Sequence, residues 1–198
     1  MKIRNITKDI PVYDYNTKLG NYDKGRDNCP PGLITLHIAE GTYNGTCSWF
    51  CNKKAVASSH FVVSKKGEIT QCVNIEDTAF INGTSRIPSN NKYYKHATNG
   101  IVKKRSYNAN LYTVGIEFEG YYDKKNDTCP MTPEQEEAAV FLIVHIYNEI
   151  KEKYGNKLPI DRSRICGHYE VNPLTKPFCG KGFPYDRIID KARKQLGL

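Results

Sequence analysis

Long apolar runs are missing from this 198-residue sequence. No stretch reaches the roughly 18 consecutive apolar residues of a transmembrane helix, so no membrane span is expected. The opening MKIRNITKDIPVYDYNTKLG carries Lys2 and Arg4 with no apolar h-region behind them, which excludes a secretory signal peptide. An even cysteine count is also missing. Seven cysteines without a signal peptide argue against a complete disulfide framework and make reduced thiols the default. Cys47 and Cys51 are four apart; on a helix their β-carbons would stand about 5–6 Å apart, beyond the roughly 3.5–4.5 Å of a disulfide. They read as half-buried thiols, bondable only if the segment is not regular helix. Compact metal motifs such as HExxH or CxxC are absent, and so is any nucleic-acid-binding signature.

What is present fits a globular protein. Hydrophobic residues make up 39% and charged residues 25%, with 14 tyrosines. The formal charge is +8, spread as pairs such as Lys53/Lys54 and Lys124/Lys125 rather than gathered in one arm. Such a field suits a polyanionic partner, either nucleic acid or the anionic polymers of a cell wall.

Length suggests one domain spanning 1–198, with a lead-in over residues 1–30, a core over 30–190 and no room for a separate wall-binding domain. Cys29-Pro30-Pro31-Gly32 breaks any regular element at the boundary. GLITLHI follows as a buried strand with Leu33, Thr35 and His37 on one side. TCSWFCNKKAV reads as a short amphipathic helix, and HFVVSKKGEITQCV as a hairpin turning at Lys65-Lys66-Gly67. Residues 82–110 are polar and irregular, a long loop. In YTVGIEFEG, Val114, Ile116 and Phe118 face one way, Gly115, Glu117 and Glu119 the other. Residues 132–154 form the clearest helix: Thr132 caps it, Pro133 suits its first turn and Gly155 ends it. RICGH is a last short strand, followed by a loop and a C-terminal helix. The alternation predicts an α/β fold, a single mixed central sheet flanked by helices.

His37 and His168 each end a hydrophobic strand, facing a loop, and Cys179 follows eleven positions after His168. Two imidazoles and a thiolate suit zinc and leave a fourth position open, as catalytic sites do. Spacing alone does not establish that site. His145 reads as a core histidine, His96 as solvated, and Glu119 as a hydrogen-bonding residue at a strand end. His60 either approaches a substrate or hydrogen-bonds within the sheet, the second being favoured.

LITLHIAEG, SSHFVVSKKGEITQCV, YTVGIEFEG and GHYEVNPLTKPFCGKGFP occur in this order, and together they resemble the type 2 N-acetylmuramoyl-L-alanine amidases, a family that includes phage endolysins and peptidoglycan recognition proteins. The resemblance runs from about residue 30 to 190. It implies the central-sheet fold of that family, Zn2+ held by His37, His168 and Cys179, and peptidoglycan as substrate. It matches Glu117 to the family's strand glutamate, a general base and acid, and Lys176 to the lysine that stabilises the tetrahedral oxyanion. Tyr43 and His60 are candidate substrate contacts, though packing explains Tyr43 equally well. Two departures stand out. Pro177 and Phe178 both intervene between Lys176 and Cys179 where the family has one residue, so the loop must bulge. At Phe80-Ile81-Asn82-Gly83, Ile81 occupies a position that is His in many relatives.

The expected activity is zinc-dependent hydrolysis of the bond between the lactyl group and L-alanine by a phage endolysin or autolysin. Such an enzyme would be made in the cytoplasm and act on the wall after release. The rivals are a non-catalytic peptidoglycan-binding module, a glycosidase using Glu117 and Glu119, and, least favoured, a nucleic-acid binder.

Overall fold

The computed structural model describes residues 1–84 and 92–198. Strands β1 (Ile3–Asn5), β3 (Leu33–Ile38), β4 (Phe61–Val63), β5 (Ile69–Gln71), β7 (Thr113–Phe118) and β8 (Ile165–Gly167) build a six-stranded sheet ordered β1-β5-β4-β7-β3-β8. Only the β4–β5 hairpin pairs antiparallel. The mixed sheet flanked by helices is therefore present as expected. A small second sheet pairs β2 (Tyr22–Asp23) with β6 (Thr78–Ala79).

The central strands alternate as the side-chain period of two requires. Ile34, Leu36 and Ile38 of β3, with Val114, Ile116 and Phe118 of β7, bury against α3 (Pro133–Tyr154) and α5 (Tyr185–Leu196). Thr35, His37, Gly115 and Glu117 occupy the other face. There α1 (Tyr43–Cys51) packs through Cys47 and Phe50 with Val62 and Cys72. The helix of α3 starts in a full capping box: Thr132 Oγ1 accepts from Gln135 N–H at 3.1 Å, and Gln135 Oε1 accepts from Thr132 N–H at 3.1 Å.

Four sequence expectations need correction. The lead-in is not featureless: β1 adds an edge strand to the sheet, and Ile6 and Ile10 bury beneath α1. The span 82–110 is not all loop. It holds 3-10 turns at Lys92–Lys95 and Ala109–Tyr112 around α2 (Gly100–Arg105), and Tyr94, Val102 and Tyr112 pack on Leu33; residues 85–91 lie outside the described residues. His145 is not a core residue: its side chain is 29% exposed, 3.6 Å from Glu149. Helix α1 begins at Tyr43, capped by Thr42, and ends at Cys51 rather than continuing to Val56. It is regular helix across Cys47 and Cys51, and all seven cysteines are free thiols.

Helices α3 and α5 are joined by Glu136, whose carboxylate sits 2.8–2.9 Å from Arg187 Nε and 2.6 Å from Lys191 Nζ. The Arg187 hydrogen bond, then Lys191, pulls the Glu136 carboxyl from 4.5 down to about 2. A depressed carboxyl stabilises the fold above its unfolded value and loses that contribution as pH falls through the folded one. Wild type should therefore lose stability more steeply than Glu136→Gln between pH 4.5 and about 2, read from urea midpoints. Parallel pH curves would refute the linkage.

Candidate active site

The carboxyl ends of β3, β7 and β8 lie side by side, because these neighbours run parallel. His37 and Glu117 are register partners across β3 and β7. His168 follows β8 directly, as the first residue of α4 (His168–Val171). The His37 and His168 rings stand 4.4 Å apart at 49°. Cys179 closes the group: one donor atom from each of His37, His168 and Cys179 lies within 4.8 Å of the others, and all three residues are buried. These donors, with Glu117 and Lys176, line one cavity of about 250 Å³ whose rim includes Phe50, Val56, Phe80 and Phe178.

The polar atoms in this cavity are poised for an ion. His168 Nε2 meets the Asn82 carbonyl at 3.0 Å, which assigns the proton to Nε2 and leaves Nδ1 as the donor facing inward. His37 Nε2 and Glu117 Oε2 are buried with no hydrogen-bond partner. Orphaned buried polar atoms are costly unless a ligand satisfies them. Burial drives the His37 imidazole well below its usual range and His168 down to about 4, so both rings are neutral, as ligands must be. Burial, with Glu117 nearby, raises the Cys179 thiol, so binding a cation would displace its proton. The donor set and its orphaned atoms fit zinc.

Glu117 is the proton-transfer candidate. Burial raises its carboxyl from 4.5 to about 7, opposed by the Lys176 charge. Its Oε1 is 3.9 Å from His37 Nδ1. With the imidazole neutral and the carboxyl titrating near 7, that contact is polar rather than an ion pair. Glu119 is not among the residues lining the cavity; its carboxylate accepts from Lys65 N–H at 2.8 Å, so it is engaged elsewhere.

Neither candidate substrate contact lines the cavity, and for His60 the favoured reading, hydrogen bonding within the sheet, holds. Tyr43 hydrogen-bonds Thr70 Oγ1 and packs beside the cluster under α1, away from the cavity. His60 is fully buried within the sheet. Its Nδ1 accepts from Gly115 N–H at 3.0 Å, and its Nε2 stands 2.7 Å from Arg26 Nη2. Ile81, where many relatives have His, is buried over Gly115, so closely that a β-carbon there would collide with its side chain. Asn82 was missed by residue type, because it acts through its main-chain carbonyl. Its N–H donates to Asn110 Oδ1 at 2.9 Å and its amide to Thr113 Oγ1 at 2.7 Å, which hold that carbonyl toward His168.

The profile of the N-acetylmuramoyl-L-alanine amidases (Amidase_2) matches residues 27–180. The chain belongs to this family. It is 26% identical over 136 residues to the 1,6-anhydro-N-acetylmuramyl-L-alanine amidase AmpD of Haemophilus influenzae, covering 69% of this chain and 59% of that protein. It is 33% identical over 88 residues to N-acetylmuramoyl-L-alanine amidase A of Achromobacter lyticus, covering 44% of this chain and 36% of that protein. The chain thus spans less than two thirds of either relative. Among solved structures, an AmpD derivative superposes with a TM-score of 0.60 at 19% identity, over 96% of this chain and 93% of that one. The Clostridium intestinale amidase LysC gives 0.51 at 18% identity, over 100% and 99%.

In this family member the extra residue before the third donor is absorbed by a turn. Cys179 N–H donates to the Lys176 carbonyl at 3.3 Å, closing a four-residue turn with Pro177 in its second position, where a fixed φ is favoured. Phe178 is thrown outward and stacks on Tyr122 at 4.8 Å and 21°. Its carbonyl accepts from Lys181 N–H at 2.8 Å and from Cys129 Sγ at 3.2 Å. Tyr122 is held in turn by Glu40 Oε1, which accepts its N–H at 2.7 Å, and by Asp127. A zinc ion held by His37, His168 and Cys179 would be bound about 10–100-fold more weakly in Phe178→Ala, as happens when outer-shell support is lost, and as tightly as in wild type in Phe178→Tyr. Chelator competition measures the affinity, and the sulfur-to-cobalt charge-transfer band of the cobalt-loaded protein reports whether Cys179 still ligates. Unchanged affinity in the alanine variant would show that the stack does not position Cys179.

Proposed function

We propose that this chain is a zinc-dependent N-acetylmuramoyl-L-alanine amidase, hydrolysing the amide between the lactyl group of peptidoglycan and L-alanine. The observation that carries this reading is the convergence of His37, His168 and Cys179 beside Glu117, whose Oε2 has no hydrogen-bond partner, in one open cavity.

His37, His168 and Cys179 would hold the ion. Zinc, when bound, supplies Lewis acidity and lowers the pKa of water from 15.7 to about 7. Glu117 accepts a proton from the attacking water through its free oxygen and returns it to the leaving amine. Burial raises this carboxyl to about 7 in the ion-free cavity, and that desolvation favours its holding the proton between the two transfers. Lys176, on the cavity wall, offers its ammonium to the oxyanion that develops on the carbonyl. Loss of one such donor typically costs on the order of 10²–10³ in rate. The complete donor set favours catalysis over a binding-only module. The setting we propose is an endolysin or autolysin that reaches the wall after release from the cytoplasm, with the +8 charge drawing it to anionic wall polymers.

Product analysis of digested peptidoglycan tests the reaction: free L-alanine amino groups without new reducing ends are expected, and reducing ends alone would refute it. Glu117→Gln should lower kcat about 10²–10⁴-fold, the range for general acid–base groups, with zinc content unchanged. Cys179→Ala should lose the zinc. A variant lacking zinc yet fully active would overturn the metal assignment.

A further inference from the structure

Residues ahead of the family match are folded against the cavity rim. Phe80 lines the cavity. The Tyr13 ring meets Phe80 edge-on at 5.4 Å and 71°, and Tyr15 meets Tyr13 at 5.0 Å and 88°. Three aromatic rings thus run outward from the cavity wall, ending at Tyr15, which is 58% exposed. The Tyr15 phenol donates to Asp23 Oδ1 at 2.6 Å, so the outermost ring has a set orientation.

This row is rigidly built. Asp14 organises the turn that carries it: Oδ1 accepts from Asn16 N–H at 2.8 Å, Oδ2 from Thr17 Oγ1 at 3.0 Å, and its own N–H donates to Leu19 O at 2.8 Å. Gly20, at φ +111°, lies so close to Val12 and Tyr13 that no side chain would fit. Asn21 fastens the turn to the end of α1, its amide donating to Phe50 O at 2.6 Å and Asn52 O at 2.9 Å. Ser58 links the two walls, its hydroxyl donating to Asn21 O at 2.7 Å and accepting from Phe80 N–H at 3.1 Å. Binding surfaces held in place before the ligand arrives lose less ordering entropy.

From this arrangement we propose that Phe80, Tyr13 and Tyr15 form a binding track for the glycan strand of the substrate, leading into the cavity. The inference rests on the amidase reading, in which the scissile amide hangs from a sugar of a long chain that must leave the cavity along one rim. Aromatic rings offer an apolar face to the C–H groups of a pyranose, and a tyrosine adds a phenol at the rim that can hydrogen-bond a sugar hydroxyl; the Tyr15 phenol is engaged by Asp23, that of Tyr13 is not. The Phe178 rim, by contrast, is committed to the Cys179 turn.

The test compares soluble substrates bearing one stem peptide on a single sugar or on a chain of several sugars. For wild type, KM should fall by about tenfold with the longer glycan, a modest stacking gain. Tyr15→Ala and Tyr13→Ala should abolish that gain and leave kcat and KM on the single-sugar substrate unchanged; Tyr121→Ala, an exposed aromatic elsewhere, should retain it. Variants that keep the glycan-length gain, or lose activity equally on both substrates, overturn the track. Independently of turnover, N-acetylglucosamine oligomers should shift the NMR signals of the Tyr13 and Tyr15 rings. If wild type hydrolyses neither substrate, the amidase reading fails, and the oligomer titration alone decides the track: no shift rejects it.

Discussion

Parallel pairing of β3 with β7, in a register that sets His37 opposite Glu117, is the constraint from which the site follows. In a parallel pair the strands end on the same side, so loops and helix starts after them gather at one edge. The pairing of β3 with β8 then brings His168 to the same edge. A slip of one residue would turn His37 and Glu117 into the face packed by α3 and α5. The apolar sets Ile34/Leu36/Ile38 and Val114/Ile116/Phe118 forbid that slip, because it would take them off the core packed by α3 and α5 and set polar side chains there. Core packing on one face of the sheet therefore fixes the chemistry on the other.

Burial sets the charges of the site before any ion is bound. Both imidazoles are neutral, the thiol is raised, and the Glu117 carboxyl stands at about 7. Each shift has desolvation as its leading cause, which is the expected penalty on charge at a buried site. A cation reverses that logic by favouring the thiolate. His37 Nε2 and Glu117 Oε2, buried without a hydrogen-bond partner, are two polar atoms that a bound cation and its water could satisfy.

The remaining parts of the site are supports. Asn110 and Thr113 hold the Asn82 main chain whose carbonyl orients His168, and Tyr122 with Cys129 holds the bulged turn that delivers Cys179. Arg26, buried and donating to Ile75, Leu111 and Thr113 carbonyls, ties the segment before β3 beneath the same sheet and abuts His60. Outer-shell groups of this kind orient ligands without touching the reacting atoms.

Much of this was legible along the chain, since it depends on local pattern. Alternation in LITLHI and TVGIEF, the N-cap at Thr132 and the turn at Lys65-Lys66-Gly67 each follow from neighbours within a few residues, and the order of motifs pointed to the family. The residue types able to bind zinc were visible too. Other features depend on partners far away in sequence. Three residues of β1 become a strand only because β5 offers an open edge. Tyr43 faces Thr70, and His60 is sequestered by Arg26 and Gly115, contacts no spacing rule reveals. The sequence by itself determined the central strands β3, β4, β5, β7 and β8, the long helix and the candidate donors. Tertiary packing alone decided which donors meet, because His37, His168 and Cys179 converge only when strands remote in sequence pair in parallel.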